Sequence, residues 1–153
     1  MMKSISYRFV LCLCVLFSVA NLSADTLTVT WTGAIGELEN TIMADTSADG
    51  SQAHDVYKLE ANKVYLQLAT IVLESSCEIV GAAYGDGEHP ATIQPIPGSD
   101  GASQFAGWPA GNIKTYGEDQ TYAFKNLLFN GVFADGSTTL FGILATYGKR
   151  NNI

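Results

Sequence analysis

Val64-Tyr65-Leu66-Gln67-Leu68-Ala69-Thr70-Ile71-Val72-Leu73-Glu74-Ser75-Ser76-Cys77-Glu78-Ile79 is the stretch whose reading decides the fold. It holds three short apolar runs parted by bends at Ala69-Thr70 and Ser75-Ser76. The runs are too closely spaced for hairpins, and the β-branched content is too high for a comfortable helix. Val64, Leu66 and Leu68 share one face of the first run, and beyond Ala69-Thr70 the apolar set passes to Ile71 and Leu73, then to Cys77 and Ile79. Side chains alternate strictly along a strand, so a change of parity implies a bend that re-aims the chain. The pattern predicts strands winding round a solenoid. Those seven residues are predicted to face inward, with Tyr65, Gln67 and Glu78 outward and without arranged chemistry.

On the N-terminal side, Thr26 to Thr32 alternates threonine with Leu27, Val29 and Trp31, the period-two pattern of a strand with one buried face. Gly33 and Gly36 break it, and Leu38, Ile42 and Met43 then fall at offsets that line one side of a short amphipathic helix. Residues 45–53 read as a loop. Strands are predicted at Val56 to Glu60 and Lys63 to Leu68, joined by Ala61-Asn62.

On the C-terminal side, short strands are predicted at Ala91 to Gln94, Thr121 to Phe124, Leu127 to Gly131 and Thr139 to Tyr147. Asp-Gly recurs at Asp49-Gly50, Asp86-Gly87, Asp100-Gly101 and Asp135-Gly136, where glycine supplies positive φ and aspartate caps its own backbone. Residues 95–119 contain no run that supports an element and read as a long excursion from the body. Asn126-Leu127 is echoed at Asn152-Ile153, a separation that suits one turn of a solenoid.

The segments Asp55 to Leu66, Cys77 to Gly81, Pro90 to Gln94 and Phe124 to Leu127 together resemble the opening coils of secreted bacterial proteins with a right-handed parallel β-helix, the pectate-lyase-like superfamily. The helix over Leu38 to Met43 is similar to the one that caps the N-terminal end of those solenoids. The resemblance implies an all-β, right-handed parallel β-helix with a short capping α-helix, covering residues 25–153, and the echo at Asn152-Ile153, where a new strand is expected to begin, makes it an expectation that this helix is truncated at its C-terminal end. A small β-sandwich is the alternative, because closely spaced strands also suit antiparallel folds. Members of the superfamily include polysaccharide lyases and hydrolases, adhesins and surface proteins. Their lyase sites combine carboxylate-held calcium with an arginine base, and Arg150, the single arginine after the leader, has no acidic ladder to pair with. No catalytic residue carries over.

Residues 1–24 read as a secretory signal peptide. Lys3 and Arg8 precede an apolar stretch from Phe9 to Phe17, and small residues follow at Ser18-Val19-Ala20 and Ser23-Ala24, so cleavage is expected after Ala20 or Ala24. The stretch falls short of the roughly 20 residues of a spanning helix, so no membrane span is expected after its removal. The leader carries two cations and no acid, so its loss lowers the formal charge from −7 by two further units. Such a surface disfavours nucleic acid and anionic lipid as partners. Of the three cysteines, Cys12 and Cys14 leave with the leader; Cys77 remains, predicted to be a buried small hydrophobe.

The chain offers little chemistry by spacing. Asp86, Glu88 and His89 bring potential ligands close together but lack the alternating aspartates of a calcium loop, so an ordinary turn is expected and no metal. Gly81 to Gly87 is neither a dinucleotide fingerprint nor a phosphate loop, and no cofactor is expected. His54 and His89 lack any recognisable nucleophile context. Phe105, Trp108 and Tyr116 lie in the 95–119 excursion among small polar residues, and are the candidate carbohydrate-binding residues, since exposed rings stack on the apolar faces of sugars. They serve equally well as a small core for the excursion itself. The expected function is a non-catalytic scaffold of an exported protein facing polysaccharide or cell-surface glycan; the alternative is a polysaccharide lyase or glycoside hydrolase whose active coils lie beyond residue 153.

Overall fold

A computed structural model describes residues 24–85, 87–96, 111–130, 142–146 and 153. Residues 1–23, which hold most of the expected signal peptide, and Phe105, Trp108, Asp86, Arg150 and Asn152 lie outside the described residues. The chain is mostly β with one short helix: β1 Thr26–Val29, α1 Glu37–Ala44, β2 Val56–Leu59, β3 Val64–Gln67, β4 Ile71–Leu73, β5 Cys77–Val80, β6 Ala91–Pro95, β7 Gly111–Thr115, β8 Tyr122–Lys125, β9 Leu127–Phe129 and β10 Gly142–Thr146.

The strands form three sheets, ordered β1-β2-β5-β8, β3-β6-β9 and β10-β7-β4. Each named strand pair is parallel. From β2 onward the chain visits the three sheets in fixed rotation, so neighbours in sequence never pair and each strand pairs with the third one before or after it. The bends joining β2 to β3, β3 to β4, β4 to β5 and β8 to β9 hold no Asn-Gly, Asp-Gly or Gly-Gly pair to form a tight hairpin turn, and the runs they join go to different sheets. An antiparallel sandwich does not describe these pairings.

Side chains stack in rows along the shared interior. Leu27, Tyr57, Ile79 and Phe124 align across the first sheet, Tyr65, Ile93 and Phe129 across the second, and Ile71 with Ile113 in the third. Tyr57, Tyr65, Tyr122 and the isoleucines at 71, 79, 93 and 113 are fully buried. Burying such side chains contributes about 1.5–3 kcal/mol each. α1 packs against β3 and β4, edge strands of two sheets, through Leu38 and Ile42. Its first turn is tied to β3 by the Gly36 N–H, which donates to the Leu66 carbonyl at 2.8 Å.

Four expectations need correction. In β3 the inward residues are Tyr65 and Gln67, while Val64 is 42% exposed and Leu66 and Leu68 are only half-buried. No parity shift occurs at Ala69-Thr70: in β1 to β7 every buried residue is odd-numbered, from Val29 to Thr115. Tyr65 goes inward because its hydroxyl is satisfied there, donating to the Val29 carbonyl at 2.9 Å and accepting from the Glu60 N–H at 3.0 Å. The Gln67 amide likewise closes inside its own bend, donating to the Ala69 carbonyl at 2.9 Å. Buried polar atoms that find partners lose the penalty that makes them read as surface residues.

In α1, Leu38 and Ile42 are buried as expected, but Met43 is 47% exposed and Glu39 takes a buried place instead. Residues four apart share a helix face, whereas Met43 stands five from Leu38. One Glu39 oxygen accepts from the Leu68 and Ala69 N–H groups at 2.6 and 3.0 Å, closing the bend after β3. Finally, the 95–119 stretch does contain structure: Pro95 closes β6, and β7 occupies Gly111–Thr115. Only Ile113 and Lys114 there suggest alternation; the strand forms because β4 and β10 supply a ladder on both sides.

Candidate functional site

The outer face of the first sheet presents rows of polar and small residues: Thr26, Val56, Glu78 and Ala123 in one, Thr28, Lys58, Val80 and Lys125 in the other. Alternation forces this face outward because the intervening residues fill the interior. Glu78 and Lys125 form a cross-strand ion pair at 2.6 Å. At the corner where the chain leaves the first sheet, the tight bend at Asn62 in one turn is replaced in the next by the longer loop 81–90. That loop and the sheet enclose an open groove of about 490 Å³, lined by Thr28, Lys58, Glu60, Ala82, Ala83 and Glu88 among others. A second depression, lined by Ala83, Tyr84, Gly85 and Glu88, adjoins it.

The loop is fixed from below. Asn62 adopts the left-handed conformation, which asparagine tolerates better than most residues. Its N–H donates to the His89 carbonyl at 3.0 Å, and its Oδ1 accepts from the His89 N–H at 2.9 Å. Gly85 and Glu88 exchange two backbone hydrogen bonds at 2.8 and 3.2 Å. On this frame Tyr84 is 78% exposed, its ring tilted against that of His89 with centroids 5.1 Å apart. Glu60 is engaged, its Oε1 accepting from the Trp31 N–H at 3.0 Å. Lys58 and Glu88 have no ion pair or side-chain hydrogen bond among the described residues.

Of the residues picked from sequence as carbohydrate-binding, Tyr116 is described. It follows β7, its N–H donates to the Leu73 carbonyl at 2.8 Å and its carbonyl accepts from the Tyr122 hydroxyl. The ring is 37% exposed and lies at the corner between the third and first sheets, not at the groove. Reading from sequence passed over Tyr84. The signal available was an aromatic residue between alanine and glycine in a stretch with no alternation, where burial has no obvious host. Among the described residues no group of three or more His, Cys, Asp or Glu side chains is placed to hold a metal ion. Glu88 lines the groove, and the His89 ring contacts Tyr84.

A separate polar cluster joins the loop after α1 to β2. His54 Nδ1 lies 2.9 Å from both Asp45 carboxylate oxygens, and the Tyr57 hydroxyl donates to Asp45 Oδ2 at 2.8 Å. Burial opposes the Asp45 charge, yet the hydrogen bonds from Tyr57 and His54 outweigh it and hold the carboxyl below its ordinary range. The hydrogen bond to Asp45 raises His54 against partial desolvation, with Asp25 and Asp55 adding attraction. Desolvation and the adjacent carboxylate push the Tyr57 phenol up. These hydrogen bonds on Asp45 tie the loop after α1 to β2. Burial also pushes the Cys77 thiol up to about 12, far from a nucleophile's range.

Comparison with protein-family models, curated proteins and solved structures returns no match for the chain. The fold and site define it as a mostly-β protein of three parallel sheets with a groove on the outer face of the first.

Proposed function

We propose that the chain forms the helix-capped first coils of a right-handed parallel β-helix in an exported protein, and acts as a non-catalytic scaffold facing polysaccharide or cell-surface glycan. The observation that carries this reading is the rotation of successive strands through three parallel sheets, which stacks a rigid body with its polar rows turned outward. α1 against the edge strands β3 and β4 supports the capped end, since a covered edge cannot recruit another strand. The apolar leader with its small-residue exit supports export.

Retention on insoluble polysaccharides, followed by assay of the supernatant for reducing ends and unsaturated products, tests the reading. Retention without product is expected. Either no retention on any polysaccharide or the steady release of product would overturn it.

A further inference from the structure

We propose that the groove between the outer face of the first sheet and loop 81–90, together with the depression that shares Ala83 and Glu88 with it, is a binding site for a neutral saccharide, with Tyr84, which lines that depression, as its stacking ring. The inference rests on the glycan-facing reading above and assigns it a place and a ligand class. Three observations converge. Tyr84 is 78% exposed on a loop that the Asn62–His89 hydrogen bonds and the Gly85–Glu88 pair hold in place. A large ring presented to water on a braced loop contributes little to the fold, but offers a rigid contact face with little ordering left to lose on binding.

Beside it, the groove of about 490 Å³ has room for one or two sugar rings, and its shape is open rather than enclosed. A pyranose needs an apolar platform on one side and separate donors and acceptors at its hydroxyl rim. Lys58 is a donor and Glu88 an acceptor, and both are unengaged among the described residues, whereas Lys125 is already paired with Glu78 and one Glu60 oxygen with Trp31. The charges favour a neutral ligand. Lys58 stands against Glu60 and Glu88 in the groove, and the whole chain carries −7, so a polyuronate meets net repulsion at the site and at long range.

The test uses the full chain with cellohexaose, mannohexaose and xylohexaose as probes and polygalacturonate as the anionic counter-probe, read by calorimetry or affinity electrophoresis. At least one neutral probe is expected to bind, with polygalacturonate weaker in low salt. Tyr84→Ala should weaken binding about tenfold or more, Tyr84→Phe should leave it within about twofold, and Tyr116→Ala should leave it unchanged, all at an unaltered melting temperature. Binding that persists in Tyr84→Ala, or that prefers polygalacturonate, overturns the groove assignment while leaving a glycan-facing scaffold standing. Failure of the native chain to bind any of the four probes, or any insoluble polysaccharide, overturns both.

Discussion

Gly81 sits where a side chain has no room: a Cβ added there would come within 2.2 Å of the Asn126 carbonyl oxygen, a backbone atom that cannot swing aside. Gly81→Ala is therefore expected to destabilise the fold by about 1–3 kcal/mol through overpacking, measured by chemical denaturation. Gly50, whose added Cβ would meet nothing, is the contrast for space alone, although its φ of 87° makes alanine strained there too. The His54–Asp45 pair gives a pH signature. His54 is raised in the fold, so its contribution is complete below its ordinary value of 6.5 and is lost as pH rises through the folded value. Asp45 is lowered, so its contribution is complete above about 3.8 and is lost as pH falls through the folded value. Together they favour a window of about pH 4 to 6.5. A melting series should show the native chain losing stability between about pH 6 and 8 more steeply than Asp45→Asn does; parallel profiles would remove the pair from the account. Cys77, buried and with its thiol pushed up to about 12, should react with a thiol reagent at pH 8 only on unfolding.

At the scale of the element, the strands were legible wherever β-branched and aromatic residues alternate over four or more positions. β1, β2, β5, β6 and β8 follow the expected segments to within a few residues. What alternation could not disclose is which parity faces in when both sets are apolar. Val64, Leu66 and Leu68 compete with Tyr65 in β3, and the hydroxyl partners that draw Tyr65 inward come from β1 and the bend after β2. β7 was illegible for a related reason, since its ladder is supplied by strands far away in sequence. Tyr65→Phe tests this account: it strands the Val29 carbonyl and the Glu60 N–H in the interior, and a loss of about 1–3 kcal/mol is expected by denaturation. Loss near zero would mean that ring packing alone sets the parity. The bends show the same limit. Asn62 and Asn126 both take the left-handed conformation where the chain leaves the first sheet, at φ 59° and 53°. The sequence echo pairs Asn126 with Asn152, which lies outside the described residues; the correspondence seen is with Asn62.

For the molecule as a whole, three sheets fed in rotation explain why no fixed repeat can be read from the chain. Val56, Glu78 and Ala123 align in one row, although the lengths of chain between them are unequal. Loops of different length leave at the corners, and the strands return to register regardless. The groove follows from this plan, because the loop between β5 and β6 is longer than the bends at Asn62 and Asn126 and so projects beyond the sheet. Acidity was legible in composition, whereas the place of Tyr84 next to the groove depends on a corner that only the folded chain forms. The central claim is that from β2 onward each strand pairs in parallel with the third one along and never with the strand that follows it in sequence. Cross-strand nuclear Overhauser contacts in the isotope-labelled protein test it most directly. Backbone contacts are predicted along Leu27, Tyr57, Ile79 and Phe124, and along Tyr65, Ile93 and Phe129. Strong Hα–Hα contacts between β2 and β3, or between β8 and β9, would reveal antiparallel hairpins and contradict it.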